Sequence, residues 1–171
     1  MCAQRRTSYS ANRFNVRIPA VREFQARYEA IVPDLPRPEI FELIAHGEPW
    51  SKMESLVDTV APFGFMIFYR NDVTPAMTAA GNSAECVAYL MGNHVIAERM
   101  FRHDPRAMLY APLRTLIWED SSGDAWFTVD QPSSLFGSIG SELLEVGREL
   151  DRKLGSLLEA LGAPIPELLD D

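Results

Sequence analysis

Apolar and polar positions recur along the chain with two periods, which predict strands and helices in alternation. The segment "FNVRI" is apolar at every second residue, as in a strand with one buried face. The next segment is apolar at helical spacing and ends at the proline-rich "PDLPRP". Its apolar positions are Val21, Phe24, Tyr28 and Ile31. The first part of the chain is therefore predicted to form a short strand and a helix.

The middle of the chain continues this alternation. "EIFELIAHG" alternates in a way that predicts a strand with at least one buried face. "EPWSKMESLVDTVAPFG" carries an apolar helical stripe that ends before Gly64. "FMIFYR" is predicted to be a buried strand, and a loop leads from it to another strand, "CVAYLM".

Local punctuation marks the remaining elements. Asn93 is a favourable N-cap and the residue before Pro105 disfavours helix, so a helix is predicted over residues 94–103. "PLRTLIWED" and "AWFTVD" flank "SSG" as the strands of a hairpin. A long helix over residues 141–162 places a stripe of leucines on one side. The pattern predicts an α+β fold, in which helices cover an antiparallel sheet.

Composition narrows the classes of function. A chain of 171 residues is long enough for one domain with a substantial core. The formal net charge of -8 and the pI of ≈ 4.9 argue against a nucleic-acid partner, because such binding relies on clustered Lys and Arg. No apolar run approaches the length of a membrane span, and Cys2 and Cys86 form neither a metal-binding spacing nor a disulfide framework. We expect a soluble, cytoplasmic protein that binds neither nucleic acid nor membranes.

Three motifs carry a resemblance to a known family: "GNH", "DPRAMLYAPLRTLIWED" and, after a glycine-containing turn, "DQP". With them, the chain resembles the bacterial domain of unknown function 302 family over residues 39–161. The resemblance implies an α+β, TATA-box-binding-protein-like fold, with helices packed on one face of a curved antiparallel sheet, and often a homodimer. It leaves residues 1–36 as an N-terminal extension with a short strand and a helix, residues 37–162 as the family-like domain, and residues 163–171 as a C-terminal tail. The family has no assigned biochemical role, so the resemblance leaves function open.

His94 departs from the family pattern, which usually has proline after Gly-Asn. At about 100° per residue, His94, Glu98 and Arg102 share one narrow face of the predicted helix. A histidine at a helix N-terminus is biased toward the neutral imidazole, which can hydrogen-bond a ligand or bind a metal. Two interpretations stay open: these three residues and Asn93 form a ligand site, or Glu98 and Arg102 form an ordinary ion pair on a solvated face.

The hairpin register predicts a second group of polar residues. If "SSG" is a three-residue loop, Gly123 takes the left-handed position and the tryptophans of the two strands face each other. Continuing in steps of two places Arg114 opposite Asp130 at the end remote from the turn. We expect Arg114 and Asp130 to pair there and to line one cleft with His94 and Glu98, as an anchor for an anionic or hydrogen-bonding ligand. The alternative is a cross-strand ion pair without a ligand.

Three hypotheses of function follow. The leading one is a homodimeric domain that binds a small molecule at the Gly-Asn-His turn, with enzymatic activity left open. The second is a haem- or metal-binding protein that uses His94 as a ligand and the surrounding methionines as an apolar environment. The third is an interaction module without a ligand, in which the His94 face contacts a partner chain. His103 lies on nearly the opposite side of the helix from His94, so these two histidines cannot bind one metal together.

Overall fold

Five strands form one antiparallel sheet. The computed structural model describes residues 6–167. The strands are β1 (Arg13–Ile18), β2 (Met66–Asp72), β3 (Cys86–Gly92), β4 (Leu113–Glu119) and β5 (Ala125–Asp130). Their order across the sheet is β1-β5-β4-β3-β2. The first strand of the chain is therefore an edge strand beside the last one, and the hairpin of β4 and β5 lies between β1 and β3.

Helices supply the rest of the regular structure. They are α1 (Val21–Ile31), α2 (Arg37–Ala45), α3 (Trp50–Val60), α4 (Thr74–Ala79), α5 (His94–Phe101), a 3₁₀ helix (Pro105–Leu109), α6 (Pro132–Gly137) and α7 (Ser141–Ala160). The predicted helices that became α1, α3, α5 and α7 are confirmed. The segment between β2 and β3, predicted as a loop, contains the short helix α4.

The core lies between one face of the sheet and the helices. Side chains that point to this face are almost fully buried and pack with apolar residues of α1 and α7 in a single cluster. On the sheet these are Val16, Tyr89, Met91, Ile117 and Phe127, and on the helices they include Phe24, Tyr28, Leu150 and Leu154. The other sheet face carries exposed residues such as Arg13 and Arg17. The predicted α+β class, with helices on one face of an antiparallel sheet, is confirmed.

The N-terminal segment is part of this core. All six residues of β1 pair with β5, and Phe24 and Tyr28 of α1 have 0% exposed surface. The predicted division at residue 36 thus does not separate two packing units, although the two segments differ in their resemblance to the family. The two segments form one packing unit because β1 pairs with β5 at the edge of the sheet.

Two predictions about local structure are wrong. Residues 37–45 form the helix α2 and not a strand, because Pro38 lies in the first helical turn, where its missing N–H costs no hydrogen bond. Ile40, Leu43 and Ile44 fit helical spacing as well as alternation, so the pattern was ambiguous. The strand β2 is buried only at Met66 and Ile67, since it is an edge strand whose later residues face solvent.

The junction of α6 and α7 is tightly fixed. A Cβ atom on Gly147 would lie 2.7 Å from the Cα of Ser133, so only glycine permits this approach of the two helices. Asp151, buried on α7, accepts hydrogen bonds from the Ser133 backbone N–H at 3.0 Å and from Gln131 Nε2 at 3.1 Å. Burial raises the pKa of Asp151, and the hydrogen bonds oppose that shift. This junction sets the position of Phe136, which reaches the candidate site.

Cys86 is a free, half-buried cysteine of β3, while Cys2 lies outside the described residues. Across residues 6–167, none of the helices has both the length and the apolar character needed to cross a membrane.

Candidate functional site

A cavity of about 180 Å³ lies where β3 ends and α5 begins. Its wall is almost entirely apolar, and we call it the His94 cavity because His94 is the only ionisable side chain among its lining residues. The main apolar lining residues are Phe68, Met91, Met100, Pro112, Phe136 and Leu150. They come from β2, β3, α5, α6, α7 and the segment before β4, so the cavity exists only once the whole sheet and its helices have packed.

Asn93 fixes the start of α5. Its Oδ1 accepts a hydrogen bond from the Ile96 backbone N–H at 2.7 Å, which is the predicted N-cap. Its Nδ2 donates to the Gly64 carbonyl at 2.6 Å, which ties the helix to the turn after α3. Asn93 was predicted as a ligand-binding residue, and it does line the cavity. Both polar atoms of its side-chain amide already have protein partners, so the role of Asn93 in the structure is to orient the first turn of α5, including His94.

His94 is half-buried and lies against Phe68. Its Nδ1 is buried and has no hydrogen-bond partner among residues 6–167. Burial lowers the pKa of His94, and the nearby Arg37 guanidinium lowers it further. The lowered pKa favours the neutral imidazole, as the sequence predicted, but its causes are burial and Arg37 and not the helix N-terminus on which the prediction rested.

Glu98 and Arg102 do not join His94 at the cavity. They form an i,i+4 ion pair whose side chains are 36% and 57% exposed, respectively. The residues of α5 that share the cavity wall with His94 are Ala97, Ile96 and Met100. Glu98 and Arg102 are therefore not part of the His94 cavity, and their exposed ion pair matches the alternative interpretation of a solvated helix face.

The hairpin register is confirmed as far as it extends. Gly123 has φ 81°, and Trp118 pairs with Trp126. The ladder ends at Thr115 and Val129, one step before the predicted pair of Arg114 and Asp130.

Asp130 forms its ion pair with another residue. Arg13 Nε lies 2.5 Å from Asp130 Oδ1, and Arg13 Nη2 lies 3.1 Å from Oδ2. The prediction that Arg114 and Asp130 pair is therefore wrong, because β1 adds on the outer edge of β5 and places Arg13 directly opposite Asp130.

Arg114 and Asp130 line a second cavity, of about 350 Å³, that we call the Arg114 cavity. It adjoins the His94 cavity, since Met108, Ala111, Pro112 and Leu113 line both. Leu113 is buried on the core side, and Arg114, the next residue of β4, is exposed on the opposite face of the sheet. The predicted single cleft containing His94 and Arg114 is thus wrong, and two neighbouring cavities take its place.

The residues around His94 bear on the second hypothesis, a haem- or metal-binding protein. Within the described part of the chain, no group of three or more His, Cys, Asp or Glu side chains is placed to hold one. Met91, Met100 and Met108 line the His94 cavity, so three of the methionines considered as haem surroundings do come together. The cavity is nevertheless smaller than the roughly 300–1,000 Å³ of pockets for drug-sized ligands, and a haem needs more room than most of those ligands.

Several residues of the site had no clear signal in the sequence. Phe68 occupies a β-bulge between Ile67 and Tyr69, and bulges re-aim side chains near sites. Arg37, at the start of α2, affects His94 from the proline-rich segment that was predicted only to end the first helix. Pro112, part of the motif that carried the resemblance, packs against Gly92, whose missing side chain leaves room for it.

Comparison with known proteins agrees with this fold. The family model "Domain of unknown function DUF302" matches residues 51–161. The crystal structure of an uncharacterized conserved protein DUF302 from Bacillus stearothermophilus is similar, with a TM-score of 0.59 and 16% sequence identity over 88% of this chain and 97% of that chain. No curated protein matches the chain. At this identity the structural similarity speaks for the fold alone, whereas the family model covers more than half of the sequence. The chain belongs to the domain of unknown function DUF302 family.

Proposed function

We propose that this protein binds a small, mainly apolar molecule in the His94 cavity and that the imidazole of His94 contacts the one polar group of that molecule. The observation that carries the proposal is an imidazole with a buried, unpartnered Nδ1 in the wall of an otherwise apolar cavity. Unpaired buried polar atoms are costly, so they often mark sites whose partner is a ligand.

The size of the cavity sets the class of ligand. A cavity of about 150 Å³ lined by apolar side chains can hold a molecule the size of benzene, and the His94 cavity has about 180 Å³. A neutral imidazole has one ring nitrogen that accepts a hydrogen bond, for example from a hydroxyl group, and one that donates, for example to a carbonyl group. The ligand class is thus a small aromatic or branched aliphatic molecule with one hydroxyl or carbonyl group.

Phenol and toluene are suitable probes, because they have similar size and differ in the hydroxyl group. We expect phenol to bind about fivefold more tightly than toluene, the ratio that one net hydrogen bond provides. Titrations followed by ¹H–¹⁵N NMR would place both probes through shifts of residues around the cavity, including Ala97 and Met100. His94→Phe should remove the preference for phenol, and Glu98→Gln, on the exposed side of the same helix, should leave it unchanged. Equal binding of both probes to the wild type, or no shift of cavity residues, would contradict the proposal.

The haem hypothesis has a direct test as well. Protein purified from haem-supplied cells should show no Soret band and no saturable haem binding. The size of the His94 cavity supports this expectation. A Soret band that is lost in His94→Phe would favour the haem hypothesis over a small apolar ligand.

We also propose that the protein forms a homodimer, with the family resemblance as the first support. A second support is an exposed apolar face on α2, where Phe41 is 66% and Ile44 is 65% exposed. Large apolar side chains grouped on one helix face are typical of surfaces that contact another chain. A cytoplasmic location stays a prediction from composition.

A further inference from the structure

Arg114 differs from the other arginines of the sheet, because it forms no ion pair among residues 6–167. Arg13 and Arg17 of β1 and Arg70 of β2 all form ion pairs with acidic residues. For the Arg114 guanidinium, the structure gives no hydrogen bond or ion pair with any residue in the range 6–167. Asp130, which lines the same cavity as Arg114, accepts hydrogen bonds from Nε and Nη2 of Arg13.

Besides Arg114 and Asp130, the wall of the Arg114 cavity contains apolar and aromatic side chains. Leu90, Leu109 and Leu135 contribute to the wall of the Arg114 cavity. Tyr9 and Tyr110 form another side, with their ring centroids 5.7 Å apart in an edge-to-face arrangement. Tyr110 is braced from behind by Phe136, at 6.1 Å between ring centroids. Arg114, whose guanidinium has no partner among residues 6–167, thus lies in a cavity that also offers leucine and tyrosine side chains for contact with a flat apolar body.

We propose that the Arg114 cavity is a second binding site, separate from the His94 cavity, and that it takes a small organic carboxylate with an aromatic or apolar body. The planar guanidinium matches the two oxygens of a carboxylate in a bidentate pair. The charge balance favours a monoanion, because Asp130 offsets part of the positive charge of Arg13 and Arg114. A volume of about 350 Å³ fits a bicyclic ring system, which the His94 cavity, at about 180 Å³, is too small to hold.

The probe pair is 2-naphthoate and its neutral relative 2-naphthamide, titrated into the full ¹⁵N-labelled chain. We expect saturable binding of 2-naphthoate that shifts the amides of Leu109, Tyr110 and Arg114, which line the Arg114 cavity and not the His94 cavity. Binding of 2-naphthamide should be weaker by about tenfold. Arg114→Gln should weaken 2-naphthoate by about tenfold, and Arg114→Lys, which keeps the charge and loses the fork, should fall between. Arg152→Gln removes the same charge from an exposed position of α7 and is the matched control.

Three results would overturn the proposal. They are no saturable binding of 2-naphthoate at millimolar concentration, equal binding of 2-naphthoate and 2-naphthamide, and equal weakening by Arg114→Gln and Arg152→Gln. Arg114 is exposed, so its replacement is not expected to disturb folding, and the ¹H–¹⁵N spectrum checks this. Arg114→Gln should bind phenol in the His94 cavity as the wild type does, because Arg114 does not line that cavity. A failure of 2-naphthoate binding with normal phenol binding would therefore concern the second site alone.

Discussion

The rings of Phe68 and His94 lie 5.1 Å apart between their centroids, with an angle of 42° between their planes. This contact joins the bulge of β2 to the first turn of α5, which are 26 residues apart in sequence (94 − 68). It covers one side of the imidazole and contributes to its burial. The ionisation of His94 therefore depends on the packing of an edge strand as well as on its own helix.

The first prediction concerns the pH dependence of stability. The pKa of His94 is lowered in the folded protein, mainly by burial, while the unfolded chain takes up this proton near the usual value of about 6.5. The contribution of His94 to the free energy of unfolding should be fully present above about pH 6.5, the usual pKa of histidine. It should be lost as the pH falls from about 6.5 toward the lower pKa of the folded state, because the unfolded chain binds a proton in this range and the folded chain does not. Urea unfolding between pH 5 and pH 8 measures this dependence.

His94→Phe should flatten this part of the curve, whereas His46→Gln, at an exposed histidine of the α2 C-terminus, should not. Equal slopes in the wild type and in His94→Phe would mean that His94 does not carry the effect.

The second prediction concerns the cap of α5. Asn93→Ala removes the acceptor for the Ile96 N–H and the donor to the Gly64 carbonyl. We expect a loss of about 1–3 kcal/mol in the free energy of unfolding, from a lost cap and an unpaired carbonyl. Asn93→Asp keeps the cap acceptor and loses the donor, so it should lie between the wild type and Asn93→Ala. A loss under about 0.5 kcal/mol for Asn93→Ala would show that the two hydrogen bonds contribute little.

The third prediction concerns the packing of α7 on α6. In Gly147→Ala the new methyl group meets the backbone of Ser133 at 2.7 Å, so one helix must shift. We expect destabilisation by about 1–3 kcal/mol, although alanine favours helix more than glycine does. Ser156→Ala, at an exposed position of the same helix, should be neutral or slightly stabilising. A stabilised Gly147→Ala would mean that the close approach is relieved at little cost.

The fourth prediction concerns the hairpin turn. Gly123 has φ 81° and open space where a side chain would be, so its replacement causes backbone strain without a steric clash. Gly123→Ala should cost about 1–2 kcal/mol, and Gly123→Asn should cost less, because asparagine tolerates the left-handed region. Thermal or urea unfolding distinguishes the two variants. Equal costs would point to a cause other than backbone conformation.

The fifth prediction concerns the proposed homodimer. Replacing Phe41 and Ile44 together by serine should raise the dimer Kd by at least about tenfold, because two exposed apolar side chains leave the interface. Tyr69→Ser, at an exposed aromatic residue of β2, is the control. Sedimentation velocity over a range of concentrations measures the effect. A wild-type chain that stays monomeric would exclude the homodimer, and a dimer unaffected by the double variant would place its contact elsewhere than on α2.

Features with a local cause were predictable from the sequence. The side-chain period of two gave the register of the hairpin, with Trp118 opposite Trp126, and Gly123 marked its turn. Asn93 marked the start of α5, since an N-cap uses atoms only three residues away. The strand predicted where α2 lies was wrong. The apolar residues of this segment fit both the helical and the strand period, and too few of them are buried to favour one period.

By itself, the sequence determined the fold class, most of its elements and the capped start of α5, because periodicity, capping and turn chemistry act between residues close in the chain. Only the tertiary structure decided the partners of the site residues. Asp130 pairs with Arg13, 117 residues away in the chain, because β1 closes the outer edge of the sheet beside β5. His94 and Arg114 line two neighbouring cavities because Arg114 points to the exposed face of β4, away from the core face of the sheet. Such distant contacts depend on how the strands are ordered and how the helices cover them, which no local pattern specifies.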